Sequence, residues 1–366
     1  MISYFKRRLL GLTAMQRAGK GRRVEWEIEG ETVWFECEDL PLRDSGDAFA
    51  CLCFATSALD NWKLRFPLRI CPVLSAHLKK LWQIWDSWWS IGPTVFKTKC
   101  RNLDSEETSK RGTAVFLSLG VDSFYTMLHR SDVGSIIYVC GYDVRLQKAD
   151  RLKSLEKSLR DVANRSGVKL VVVRTNLRDH SILRKINWEK FHGAALATVG
   201  HLLAAEFSKI LISASFSVDN FKPWGSSWKT DYLWSSKQLQ VEHFGQDLWR
   251  VEKLEKIVNE PLVIDHLRIC WEHRNDEVNC GECEKCLRTM LGLLSLGKLD
   301  EYPTFPDVDG LVSGLDRARL LPEFLIPTYQ SFLNKDLPPK VVRPLEKLVR
   351  KSNVHIAKKQ ANIKET

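Results

Sequence analysis

Four of the ten cysteines crowd into one short stretch, as Cys270, Cys280, Cys283 and Cys286. The pattern is C-x9-C-x2-C-x2-C, in which two C-x2-C steps share their middle cysteine. Such steps make a compact knuckle, and Gly281 eases the turn between the first two thiols. Cys270 completes the set from the preceding segment Leu267–Trp271. Four thiolates held about 2.3 Å from one ion form a closed tetrahedral zinc site, whose expected role is structural. An iron–sulfur cluster also takes four cysteines, but the common ferredoxin spacings do not fit. Unmetallated thiols are the plain alternative. His273 lies close by and is read as a bystander, because four cysteines already satisfy zinc.

The second candidate is the hexapeptide Ser118-Leu119-Gly120-Val121-Asp122-Ser123. Gly120 permits a tight backbone turn, the amides at a helix start face an anion, and the flanking serines add hydroxyl donors. The same residues also make an ordinary helix N-cap, since Asp122 and Ser123 are good capping types. The stretch is not a Walker loop, because no GxxxxGK[ST] surrounds it. A leucine at 119 requires negative φ, with its side chain turned away from any bound phosphate.

These residues need elements to hold them. After Gly112 short apolar runs alternate with longer amphipathic ones. Strands are expected at Ala114–Ser118, Ser135–Val139, Lys169–Arg174 and Lys209–Ser213. Helices are expected at Asp122–Arg130, Ala149–Ser166 and Phe191–Phe207. This alternation predicts an α/β fold with a mostly parallel sheet and helices on both faces. Ligands of such sheets bind beyond the carboxyl ends of the strands, which singles out the first βα turn, Ser118–Ser123.

The region ahead of it reads differently. Residues 24–105 predict a smaller α+β domain, with a hairpin through Val24–Glu29 and Thr32–Cys37 and a strand over Leu64–Ile70. A helix over Leu74–Trp89 carries Trp82, Trp85 and Trp89 on one face, a stripe that reads as core. The polar run Lys97–Arg111 is the expected linker to a domain spanning 112–300, and 301–366 is expected to be a helical, basic tail.

The chain has 366 residues and a formal net charge of +10, which would suggest a nucleic-acid partner. Its location argues otherwise. Residues 1–23 hold seven basic residues and no acidic one, and residues 335–366 hold nine basic against three acidic. The body between them is slightly acidic. The basic ends, including Pro338–Arg350, read as solvated tails, and nucleic acid is not the favoured partner. No apolar run reaches the roughly 18 residues of a membrane helix. The N-terminal apolar stretch is too broken for a signal peptide, and the cysteine usage suits a reducing cytoplasm.

The loop Ser118–Ser123 resembles the SGGxDS loop of the PP-loop (N-type) ATP pyrophosphatases, matching at Ser118, Gly120, Asp122 and Ser123, with Leu119 in place of the first glycine. Together with the four cysteines about 150 residues on and Arg288 just after the last of them, the chain resembles 7-cyano-7-deazaguanine synthase and its relatives over residues 112–295. The resemblance implies an adenine nucleotide alpha hydrolase-like fold with ATP and Mg²⁺ as cofactors beside Zn²⁺. It implies nucleotide contacts at Ser118, Gly120, Val121, Asp122, Ser123 and Gly141, a lysine facing the phosphates at Lys253, and acidic residues for substrate and magnesium at Asp122 and Asp231. The segment Ser217–Ser236 departs from the synthases. Its Trp224, Trp228 and Trp234 either stack on a planar substrate or pack a long loop.

The implied function is adenylation of a substrate, expected to be a carboxylate, with release of pyrophosphate and capture of the adenylate by ammonia or an amine. Two alternatives stand beside it: a tRNA-modifying enzyme of the same fold, and a non-catalytic nucleotide-binding scaffold. A homodimer is left open.

Overall fold

The computed structural model describes residues 8–10, 12–13, 21–60, 62–64, 68–92, 98–100 and 111–364. Within them the strands are β1 (Arg8–Leu10), β2 (Leu12–Thr13), β3 (Arg23–Ile28), β4 (Glu31–Cys37), β5 (Trp62–Leu64), β6 (Leu68–Ile70), β7 (Thr98–Cys100), β8 (Gly112–Phe116), β9 (Val133–Cys140), β10 (Lys169–Thr175), β11 (Phe207–Ser213) and β12 (Gln240–Phe244). The helices are α1 (Gly46–Asp60), α2 (Pro72–Trp89), α3 (Val121–His129), α4 (Ala149–Ser166), α5 (Trp188–Leu202), α6 (Arg250–Ile257), α7 (Pro261–His266), α8 (Glu284–Ser295), α9 (Val308–Arg317), α10 (Ile326–Phe332) and α11 (Pro339–Lys364). The chain divides into two compact units, residues 1–117 with 126–249, and residues 118–125 with 250–366.

The first unit is built on one eight-stranded sheet in the order β12-β11-β8-β9-β10-β4-β3-β2. Strands β8 to β12 are mutually parallel, as their buried Val/Ile/Leu runs predict. Numbered by chain order, the five run 5-4-1-2-3, so the connections reverse direction between β8 and β11. That is the topological switch point of a doubly wound, Rossmann-like sheet, where ligands of such folds collect. The chain leaves β8 directly into residues 118–123.

The expected hairpin forms, with β3 antiparallel to β4 and Val24, Trp26 and Ile28 alternating into the core. It does not belong to a separate 24–105 domain, which corrects the boundary drawn from composition. β4 pairs antiparallel with β10, placing Val173 opposite Cys37 and Thr175 opposite Phe35. The Asp39 carboxylate accepts the Val172 amide at 2.8 Å and Asn176 Oδ1 accepts the Trp34 amide at 2.9 Å. The physical reason lies in β10: without β4 it would end the sheet as a bare row of backbone donors and acceptors.

The single strand expected over Leu64–Ile70 is two short ones, β5 and β6, with residues 65–67 outside the described set. Of the expected linker, β7 pairs with β6, and residues 101–110 lie outside the described set. The tryptophan stripe of α2 is core: Trp85 is fully buried among Phe54, Trp89 and Trp234. Trp234 is likewise fully buried, while Trp224 and Trp228 are half-buried.

The second unit is helical. Its C-terminal stretch is not the solvated tail that its charge suggested. Helix α11 buries Val341, Leu345, Leu348 and Val349, a stripe at helical spacing, and buried Ser352 Oγ accepts the Leu321 amide at 3.0 Å. The lysines and arginines occupy the other face, so the basicity belongs to a packed amphipathic helix. Residues 1–7, 11 and 14–20 of the basic N-terminal segment lie outside the described set. Among the described residues no helix is long and apolar enough to cross a membrane.

Candidate functional site

The hexapeptide Ser118–Ser123 is held from inside by one hydroxyl. Ser123 Oγ accepts the Ser118 amide at 3.3 Å and the Gly120 amide at 3.1 Å, and donates to the Gly120 carbonyl at 3.0 Å. Two loop amides are therefore spent on the loop itself. The Val121 amide, at the start of α3, donates to no group among the described residues. It is one of the loop N–H groups left for an anion.

Leu119 reverses the expectation of negative φ. Its φ is +61°, in the left-handed region that favours glycine, and its side chain is buried. A leucine there costs about 1–2 kcal/mol of backbone strain. The Leu119 carbonyl accepts the Arg268 amide at 2.9 Å, which fixes the turn to the segment leading into Cys270.

Asp122 gathers cations. Arg250 donates to its Oδ2 from Nε at 2.9 Å and from Nη2 at 2.5 Å, and Lys253 Nζ donates to Oδ1 at 3.2 Å. The two basic residues sit three apart on α6 and so share a face. The Lys253 side chain is 1% exposed, and its ammonium also lies 5.9 Å over the Tyr125 ring. Burial alone would raise the Asp122 pKa, but Arg250 and Lys253 together hold it well below the usual carboxylate range. Both carboxylate oxygens accept hydrogen bonds from these cations.

Asp231 is in the first unit and its carboxylate is completely buried. Oδ2 accepts from Ser226 Oγ at 2.6 Å and lies 2.7 Å from His243 Nδ1, and Oδ1 accepts the Ser227 amide at 3.1 Å. A buried carboxylate held in this way braces the Gly225–Trp234 turn. His243, near the end of β12, went unnoticed in the sequence because a lone histidine on a strand carries no spacing signal. Gly141, at the end of β9, has φ +100°, and a Cβ there would lie 2.0 Å from the Thr175 carbonyl oxygen. Only glycine fits.

The four cysteines converge, as their spacing predicts. All four are buried, and their sulfurs lie within 4.8 Å of one another. Cys283 and Cys286 sulfurs are 3.4 Å apart, and Cys280 and Cys286 are 3.8 Å apart. Four thiolates about 2.3 Å from one ion would stand about 3.8 Å apart, so the group could hold a metal ion such as zinc. The backbone amides of His273 and Cys283 donate to the sulfurs of Cys270 and Cys280, each at 3.3 Å. The His273 ring also lies 3.4 Å from Arg268 Nη2, through its Nε2. Hydrogen bonds from Cys283 and Cys286 pull the Cys270 thiol toward thiolate. Gly281 takes φ +71° against Pro306, as the turn requires.

Asn279 is the residue that sequence reasoning passed over. It is fully buried, and Oδ1 accepts the amides of Ile269 at 2.8 Å and Cys270 at 3.2 Å. Its Nδ2 donates to the carbonyls of Leu267 at 2.9 Å and Thr304 at 3.1 Å. One amide thereby ties the Cys270 segment to the knuckle. Its place directly before Cys280 was the available signal.

Helix α8 begins at the knuckle, with Cys283 as its N-cap and Cys286 in its first turn. One turn on, it carries Arg288, which is 6% exposed and paired with Glu284. The second unit thus contains both the loop and the cysteines. Arg250 and Lys253 meet Asp122, and Arg268 joins the loop to Cys270. No family model, curated protein or solved structure matches the chain.

Proposed function

We propose that the chain is an ATP-dependent adenylating enzyme of the PP-loop type. It would activate a carboxylate as a mixed anhydride with AMP, releasing pyrophosphate, then pass the acyl group to ammonia or an amine with release of AMP. The observation that carries this reading is the clamp of Arg250 and Lys253 on Asp122, inside a loop whose Val121 amide stays open. That arrangement puts preorganised positive charge beside a helix N-terminus, where a departing pyrophosphate needs it. The chain leaves β8 for this loop at the switch point of the sheet, which supports the same reading.

In this account Val121 N–H, Lys253 and Arg250 bind the phosphates, and Ser123 keeps the turn in shape. Magnesium is assigned no residue of this chain. The knuckle holds zinc in a closed, structural site, because four thiolates leave no coordination position for substrate.

The test is product analysis with ATP labelled at the α-phosphate. The protein is incubated with ATP, magnesium, ammonia and a panel of carboxylic acids. Labelled AMP with stoichiometric pyrophosphate supports the proposal, and labelled ADP with inorganic phosphate rejects it.

A further inference from the structure

Arg288 is held as a salt-bridge partner of Glu284, yet that pairing leaves most of its guanidinium unused. Its Nη2 donates to Glu284 Oε2 at 3.2 Å. Its Nε lies 3.0 Å from Glu284 Oε1 but is misaligned, so this buried N–H has no acceptor. Nη1 has no acceptor among the described residues either. A guanidinium with five donors, nine-tenths buried and served by one carboxylate, is expensive to leave that way. Glu284 is itself shared, since Tyr329 Oη lies 3.5 Å from its Oε1.

The charge around Arg288 sharpens the point. Arg250 and Asp122 are both close enough to act on it electrostatically, Arg250 as a like charge. Arg250 and Lys253 pair with Asp122, and Arg288 with Glu284. A buried guanidinium N–H with no acceptor favours an anion that can use it.

We infer that Arg288 is a third anion-binding residue of this site, taking a phosphate oxygen of a pyrophosphate group, with Glu284 as the internal counterion that the anion displaces. The inference rests on the reading of the loop as a phosphate site and adds to it a donor delivered from the metal knuckle. Cys286 and Arg288 share the first turns of α8, so the metal sets the position of the arginine. Metal binding thereby becomes a condition for full phosphate affinity, while the ion itself touches no substrate.

The experiment is calorimetric titration of the full-length, zinc-loaded protein with inorganic pyrophosphate. Arg288→Met should weaken binding at least tenfold, and Arg288→Lys by a smaller factor, because lysine keeps the charge but loses the fork. Glu284→Gln should bind pyrophosphate more tightly than wild type, since the competing carboxylate is gone. If Arg288 were only a structural partner, Glu284→Gln would leave affinity unchanged or lower it. Wild-type binding with Arg288→Met within twofold of it overturns this inference and leaves the loop reading intact. No pyrophosphate binding by wild type overturns both. Should Arg288→Met fail to fold, Arg288→Lys and Glu284→Gln decide the question by the same comparison.

Discussion

Arg250 spends two donors on a single oxygen of Asp122, with Nε at 2.9 Å and Nη2 at 2.5 Å from Oδ2, and so leaves Oδ1 to Lys253. This is not the parallel fork of a surface Arg–carboxylate pair. It is a hub in which one anion holds two cations, and it explains why the loop and α6 behave as one piece. Breaking it leaves two poorly solvated cations without their carboxylate.

Asp122→Asn should therefore destabilise the second unit by about 3–5 kcal/mol, the usual cost of breaking a buried ion pair from one side. The sign of the pH dependence follows from the lowered Asp122 pKa. A carboxylate depressed in the folded state stabilises it above the unfolded pKa of about 4, and loses that contribution as pH falls through the folded value. Urea denaturation as a function of pH should show this acid limb in wild type and a flatter one in Asp122→Asn. Equal stability of the two proteins at neutral pH would refute the hub.

At Leu119 two effects compete. Replacing it with glycine relieves about 1–2 kcal/mol of left-handed strain but forfeits about 2–3 kcal/mol of side-chain burial and adds unfolded-state entropy. Burial wins, and Leu119→Gly is expected to lose about 1–2 kcal/mol in chemical denaturation. A gain in stability would mean that the side chain contributes little.

The turn chemistry around Cys270 depends on a residue with no metal-binding atom. Asn279→Ala strands the amides of Ile269 and Cys270 and takes a donor from the Thr304 carbonyl, at about 2–4 kcal/mol, while the Leu267 carbonyl keeps the Thr304 hydroxyl. Because Asn279 orients the Cys270 segment, zinc affinity should also fall about 10–100-fold, as for other supports of metal ligands. Competition with a chromophoric chelator measures it. Retention of wild-type zinc affinity would show that the knuckle folds without the bracket.

Gly141→Ala offers a control in the first unit. Its Cβ would meet the Thr175 carbonyl at 2.0 Å in a conformation disfavoured for any other residue. A loss of more than about 3 kcal/mol is expected, seen as insoluble protein or a lowered melting temperature. A soluble variant with unchanged melting would place the β9 turn elsewhere.

Much of this arrangement is legible in the residues. Helix α4 falls where its amphipathic pattern puts it, and β8 to β11 fall within two residues of their apolar runs, because period and length decide such elements locally. The cysteine knuckle is legible because metal ligation demands fixed spacing. Other features depend on partners distant in sequence. Nothing in Thr32–Cys37 says that it will pair with β10, since any amphipathic hairpin seeks an open edge. The alternation in α11 was masked by its lysines, which drew the reading toward a solvated tail. Asp231 was expected as an acid for substrate and magnesium, and its contact to His243 on β12 joins segments that are separate in sequence. The Leu119 carbonyl meets the Arg268 amide, a partner far along the chain that composition cannot reveal.

The central claim is that Ser118–Ser123 with Arg250 and Lys253 forms a nucleotide phosphate site. The most direct measurement is calorimetric titration of the zinc-loaded protein with ATP and magnesium, for wild type and for Lys253→Met. The account predicts one saturable ATP site per chain in wild type, weakened at least tenfold in a folded Lys253→Met variant. A folded wild-type protein that takes up no ATP, or a variant that binds it equally well, would contradict it.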